Sequence, residues 1–180
     1  MPHYFVSLGS NIEPYQNVAR AIDALLQLSP RLDVSRIIKT KAAGFQSSQY
    51  FLNLCVRFFS PLSSVELKSQ LEKIEEALGR DRTDPNRKLK DRPADLDILF
   101  ALEANDQTVA SQLLPKEPYI RPTVIDLLQY LGIDYSTTLH IPYEIMSLPY
   151  KNHLIGLQAI TIYLQDNKTV VNQQKLVHAN

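Results

Sequence analysis

Cysteine is nearly absent from this 180-residue chain, net charge is zero, and no apolar run is long. The lone Cys55 rules out an internal disulfide and fits a reducing compartment; within FLNLCVRFF it reads as a small buried hydrophobe, not a nucleophile. Nineteen lysines and arginines against nineteen aspartates and glutamates leave no global field to draw the protein onto nucleic acid or a membrane, so any anion site must be local. No stretch reaches about 18 uninterrupted apolar residues, and MPHYFVSLGSN lacks a basic leader with an apolar stretch and cleavage site. The expectation is a cytoplasmic protein without a membrane partner. With no repeat, low-complexity tract or linker, a single domain over 1–180 is expected, acting as a monomer.

What is present is a regular alternation of short apolar segments. HYFVSLGSN reads as an opening strand ending in a Gly-Ser-Asn turn. Val18, Ala21, Ile22 and Leu25 then repeat at helical spacing until the Ser-Pro at 29–30. RLDVSRIIKT is a second strand, KAAGFQSSQY a polar, small-residue loop, and FLNLCVRFF a third strand. Alternation places Phe51, Asn53, Cys55 and Arg57 on one face of that strand and Leu52, Leu54 and Val56 on the other. A serine cap opens a second helix bearing Leu67, Leu71, Ile74 and Leu78, with Gly79 at its end, and ADLDILFA is the fourth strand. Strand, helix, strand, strand, helix, strand is the α+β, ferredoxin-like βαββαβ order: an antiparallel sheet with both helices on one face and the other face left for a ligand. Beyond residue 101 the pattern predicts a proline-flanked loop at LPKEPYIRP, a short helix at TVIDLLQYL and a hairpin around Asp166-Asn167. His140, His153 and His178 have no metal-ligand spacing.

The chemistry concentrates in KDRPADLDILF. Strand alternation points Asp95 and Asp97 away from Leu96 and Ile98, with their Cα atoms ~6.5 Å apart at about 3.3 Å rise per residue. Two hard oxygen ligands at that spacing suit Mg²⁺, which takes one or two protein carboxylates and completes its shell with water and phosphates. A solvated strand face with ordinary carboxylates is the alternative. Arg80, Arg82, Arg87, Lys88, Lys90 and Arg92 in the preceding loop, against Asp81, Asp84 and Asp91, turn the pattern toward a polyphosphate site.

The motifs SLGSN, FLN at 51–53, IEEALGRDR at 74–82 and RPADLDILF at 92–100 resemble, in order and spacing, the 6-hydroxymethyl-7,8-dihydropterin pyrophosphokinase family of the folate pathway. The resemblance covers roughly the first two thirds of the chain. It implies transfer of pyrophosphate from ATP to the pterin hydroxymethyl oxygen, giving AMP and the pterin diphosphate. It implies two Mg²⁺ ions on Asp95 and Asp97, with Asp97 also near the attacking hydroxyl. Arg82 and Arg92 are implied as catalytic phosphate contacts, with Glu75, Arg80, Lys116 and Arg121 on the ATP side. Thr40, Ala43, Phe51 and Asn53 are implied on the pterin side, Phe51 standing where the family usually has tyrosine.

The chain departs from the family pattern at Lys90 and Asp91, where glycine and proline are usual. It departs again at Lys116, where histidine is usual, and at Pro122 and Thr123, where glycine and a pterin-covering phenylalanine are usual. Tyr119 is the candidate replacement for that missing aromatic cover. These differences keep two alternatives open: a divergent enzyme using another pterin-like alcohol, and a protein that binds nucleotide or pterin without turnover.

Overall fold

A computed structural model describes residues 2–173. The strand β1 (Pro2–Ser10) is followed by α1 (Pro14–Leu28), β2 (Arg31–Val34), β3 (Ile37–Thr40), β4 (Phe51–Phe59), α2 (Ser64–Ala77) and β5 (Asp95–Glu103). β5 and β4 flank β1 antiparallel, and β2 and β3 pair in succession along the outer side of β4. This is the expected ferredoxin-like sheet. The second strand is divided at Ser35-Arg36, however, because its halves have different outer neighbours. Ser35 keeps the break paired: its N–H donates to the Cys55 carbonyl (2.9 Å) and its hydroxyl accepts from the Cys55 N–H (2.9 Å).

α1 and α2 pack on one face, where Val18, Ile22, Leu25, Leu67 and Leu71 meet Val6, Leu8, Leu54, Val56 and Leu96 in a single core. The start of α2 is set locally. Ser63 accepts from the Glu66 N–H while the Glu66 carboxylate accepts from the Ser63 N–H, a reciprocal cap satisfying two helix-end donors. α1 stops before Ser29-Pro30, as the proline requires.

The opposite face is not bare, which corrects the expectation of a helix-free ligand surface. α3 (Arg121–Leu131) lies across half of it and buries Val124, Leu127 and Leu128 against Phe5, Cys55, Phe100 and Leu102. A bulge in β5 makes this possible. Phe5 pairs with Phe100 but Val6 pairs with Ile98, so Leu99 is the extra residue and the side chains after it change face. Asp95 and Asp97 precede the bulge; Phe100 and Leu102 follow it on the same face. Strict alternation would have put Phe100 with the helical core. Phe5 and Phe100 instead stack at 4.5 Å under α3, a contact worth roughly 0.5–1.5 kcal/mol beyond its buried area.

Most of the remaining strands extend the sheet beyond the two halves of the divided second strand and leave β5 as an edge. β6 (Glu144–Met146) pairs with β3, β7 (Leu148–Tyr150) pairs with β8 (His153–Ile155), and β9 (Ile160–Gln165) joins β2 and forms a hairpin with β10 (Lys168–Asn172). Asp166 and Asn167 turn that hairpin with φ of 50° and 59°, the backbone a two-residue hairpin loop favours. The three-residue strands β6 to β8 carry too few positions for a readable period. Leu148, Tyr150, Ile155, Ile160 and Ile162 nonetheless complete the main core. His140 and His153 are within the described residues and His178 lies outside them.

Asp126 anchors α3. It is buried, accepts from the Arg36 N–H at 2.8 Å and pairs with the Arg36 guanidinium at 3.2 Å, joining the helix to the β2–β3 break. Asp126→Ala should lower the unfolding free energy by about 1–3 kcal/mol in urea titration, and Asp126→Asn by less because an amide oxygen still accepts the Arg36 N–H. Equal stability of the alanine variant would contradict the anchor.

Candidate active site

The half of the sheet face that α3 leaves open is a cleft lined by Ser7, Gly9, Thr40, Ala43, Phe45, Phe51, Asn53, Arg92, Asp95, Asp97 and Tyr119, among others. Strand register explains its layout. Gly9 pairs with Asn53 on one side and Asp95 on the other, so three adjacent strands carry an amide, no side chain, and a carboxylate in one row. At about 4.8 Å between strands, the backbones carrying amide and carboxylate stand ~10 Å apart, and the amide leans over the glycine between them. No side chain fits there: a Cβ on Gly9 would lie 2.7 Å from Asn53 Oδ1. Asn53 is oriented by its Nδ2 donating to Thr40 Oγ1 at 2.8 Å.

Asp95 and Asp97 share this face as alternation requires, with side chains 28% and 57% exposed. Burial opposes ionisation of Asp95, but the charges and hydrogen bonds of Arg80 (2.6 Å) and Arg92 (2.9 Å) outweigh it and hold the carboxyl below the usual range. Asp97 accepts from Lys68 Nζ at 2.9 Å. Both carboxylates are thus matched to positive charge. Among the described residues no group of three or more His, Cys, Asp or Glu side chains gathers into a metal site. Two hard oxygen donors fit Mg²⁺ that draws its remaining ligands from water and phosphate.

The peptide between the two aspartates is held from behind. β5 is an edge strand, and Leu96 would present an unpaired N–H and C=O there. Both are satisfied by α2: Glu75 Oε1 accepts from the Leu96 N–H at 2.7 Å, and Lys68 Nζ donates to the Leu96 carbonyl at 2.8 Å. Glu75 is fully buried and also pairs with Arg80 at 3.1 Å and with Arg82. Burial pushes its carboxyl up, against the pull of the Leu96 N–H and Arg80.

Of the residues expected at the site, the cleft brings together Thr40, Ala43, Phe51, Asn53, Arg92, Asp95 and Asp97. The other five stand elsewhere. Glu75 lies behind β5, and Arg80 is tied to Asp95, Glu75 and the Ala94 carbonyl (3.2 Å), so it braces the carboxylate instead of lining the cleft. Arg82 rests on α2, bonded to Glu75 and to Glu72 at 2.8 Å. Lys116 is exposed, and Arg121 at the start of α3 donates to the Pro115 carbonyl at 3.1 Å. Thr123 is buried within α3, its hydroxyl donating to the Ile120 carbonyl at 2.6 Å, whereas Tyr119 does line the cleft.

Sequence reasoning passed over Lys68, Asn11 and Phe45. Lys68 belongs to a helix on the opposite face and reaches around the sheet edge, so no spacing rule links it to Asp97. Asn11, the last residue of SLGSN, is buried; its side chain donates to Asp91 Oδ1 (2.6 Å) and accepts from the Arg92 N–H (2.8 Å), while its own N–H donates to the Arg92 carbonyl (3.1 Å). Its place in the motif was the available signal. Asp91 also accepts from Ser47 Oγ at 2.5 Å, joining the 41–50 loop to the basic loop.

The sequence model of the family described as 7,8-dihydro-6-hydroxymethylpterin-pyrophosphokinase matches residues 5–148. The 2-amino-4-hydroxy-6-hydroxymethyldihydropteridine pyrophosphokinase of Bacillus subtilis is 32% identical over 117 residues, 63% of this chain and 67% of that protein. Proteins of the same name from Porphyromonas gingivalis (34% over 98 residues; 53% and 67%) and Haemophilus influenzae (33% over 99 residues; 53% and 60%) are similar to a comparable extent. With its motifs, sheet and paired aspartates in agreement, the chain belongs to the 7,8-dihydro-6-hydroxymethylpterin-pyrophosphokinase family.

Proposed function

We propose that the protein catalyses the reaction its family is named for, moving pyrophosphate from ATP to 6-hydroxymethyl-7,8-dihydropterin. The observation that carries this reading is the row Asn53–Gly9–Asp95, which puts a group able to read a polar heterocycle and a metal-binding carboxylate on the floor of one cleft. In the reaction the acceptor's hydroxymethyl oxygen bonds to the β-phosphorus and releases its proton to solvent, the bond from that phosphorus to the α-phosphate bridging oxygen breaks, and AMP leaves with that oxygen.

Asn53, oriented by Thr40, reads the pterin's polar edge with an amide that both donates and accepts, and Phe51 offers one face for stacking. Ala43 lines the same side. Asp95 and Asp97 hold Mg²⁺, two ions in our reading, whose charge offsets that on the transferring phosphates. Asp97, the more exposed of the pair, is the group nearer the arriving hydroxyl in this scheme. Arg92 serves the phosphates from the cleft wall with a planar fork suited to paired oxygen contacts. Arg82 joins it after leaving Glu72 and Glu75, while Lys116 serves from the loop that carries Tyr119 and Arg121 from the start of α3. Arg80 and Glu75 act as positioning residues, bracing Asp95 and the Leu96 peptide. In our reading the working unit is a monomer. The fully buried Cys55, its thiol pushed up by burial, is compatible with a cytoplasmic setting. Among the described residues no helix is long and apolar enough to cross a membrane.

Incubation with MgATP and 6-hydroxymethyl-7,8-dihydropterin should release AMP and form the pterin diphosphate; ADP as product, or no nucleotide turnover, would overturn the reading. Asp97→Ala should lower kcat by roughly a hundredfold or more at saturating Mg²⁺, the scale of losing one group that stabilises transition-state charge, with an unchanged unfolding transition. Full activity in that variant would remove Asp97 from the metal site. Arg80→Met should raise the Asp95 titration midpoint, read from its carboxyl carbon by NMR. The sign follows from linkage: a depressed carboxylate contributes stability above its unfolded pKa and loses it as pH falls through its folded value, so losing Arg80 moves that loss to higher pH. An unmoved midpoint would show that Arg80 does not set the charge state of Asp95.

A further inference from the structure

Two phenylalanines line the cleft, and they are held differently. Phe51 belongs to β4, lies opposite Thr40, and is almost wholly buried, so only one side of its ring is available. Phe45 is half-buried on the irregular 41–50 loop, directly after Gly44, whose φ of +80° suits glycine and turns the chain toward the cleft. The two rings meet edge to face, centroids 6.2 Å apart and planes at 86°. The planar guanidinium of Arg92 lies against both, 5.2 Å from the Phe45 centroid and 5.8 Å from that of Phe51. Its remaining bonds run to Asp95 and to the carbonyls of Lys88 and Lys90.

We propose that Phe45 is the second aromatic wall of the acceptor slot, closing over a flat heteroaromatic ring laid on Phe51, and that Arg92 holds this place until the ring displaces it toward the phosphates. The proposal rests on the pyrophosphokinase reading and deepens it by naming what grips the acceptor's other face. Thr123 cannot do so, because it is buried within α3 and carries no ring. The slot already accommodates a flat, delocalised group: aromatic faces take guanidinium and heterocycles alike through stacking. It cannot hold both at once. With its guanidinium 5.2 Å and 5.8 Å from the two ring centroids, Arg92 stands where a ring held between them would lie, so a bicyclic ring must move Arg92, Phe45 or both. Arg92 keeps a destination, since Asp95 lies at the phosphate end of the same cleft. Phe45 moves with a loop that the Ser47–Asp91 bond ties to the segment carrying Arg92, so closing the wall and releasing the arginine are mechanically linked.

The test is calorimetric titration of the full chain with 6-hydroxymethylpterin, in the presence of Mg²⁺ and a non-hydrolysable ATP analogue, and separately with the analogue alone. Phe45→Ala should weaken pterin binding roughly tenfold, the scale of losing one aromatic stacking partner with its buried area, and leave analogue binding unchanged. Phe45→Tyr should restore pterin affinity and Phe45→Leu should not. Unchanged affinity in Phe45→Ala would overturn the proposal, as would full rescue by leucine or a larger loss in Tyr119→Ala than in Phe45→Ala. If the unaltered protein binds no pterin, the functional reading fails together with the proposal. If it binds pterin and Phe45→Ala binds it equally well, only the second wall is lost.

Discussion

The buried carboxylate of Glu75 is the contact on which the site's geometry depends. It accepts the N–H of Leu96, the one residue between Asp95 and Asp97, and pairs with Arg80 and Arg82 where the basic loop leaves α2. A carboxylate in that position costs desolvation, and it is retained because its oxygens and charge are satisfied from three sides. Removing it would release an edge-strand peptide, an arginine that braces Asp95, and the start of the loop that delivers Arg92. Helix, loop and metal-binding strand are therefore fastened at one point.

The second organising feature is the division of one sheet face into two surfaces of opposite character. On β1 and β4 the division follows simple alternation: Gly9, Ser7, Phe51 and Asn53 lie at the open end, Phe5 and Cys55 under α3. On β5 it needs the bulge at Leu99, which lets two aspartates and then two large apolar residues occupy the same face. Without it, α3 would meet the wrong side of β5 and the cleft would lose the wall that ends it. The departures from the family pattern cluster where the loops meet: Asp91 bonds Asn11 and Ser47, and Thr123 is withdrawn into α3.

Much of this was readable because it is local. Period-two alternation put Phe51 with Asn53 and Asp95 with Asp97, the serine before α2 proved to be half of a reciprocal cap, and Asp166-Asn167 turned a hairpin. What was not readable joins residues distant in sequence or depends on a single inserted residue. Lys68 and Asp97 are 29 positions apart and approach from opposite faces. The three-residue strands β6 to β8 are shorter than the window a period requires.

By itself the sequence determined the order of elements, the face that residues of β1, β4 and the first half of β5 occupy, and the presence of a carboxylate pair beside a basic loop, because backbone stereochemistry and hydrophobic spacing act between near neighbours. Only the tertiary structure decided which cations meet which carboxylates. It placed Arg80 on Asp95, Arg82 on α2, and Arg92 between Asp95 and two phenylalanine rings. Charge and stacking act through space, and six basic residues in one loop look alike until the fold sets their distances.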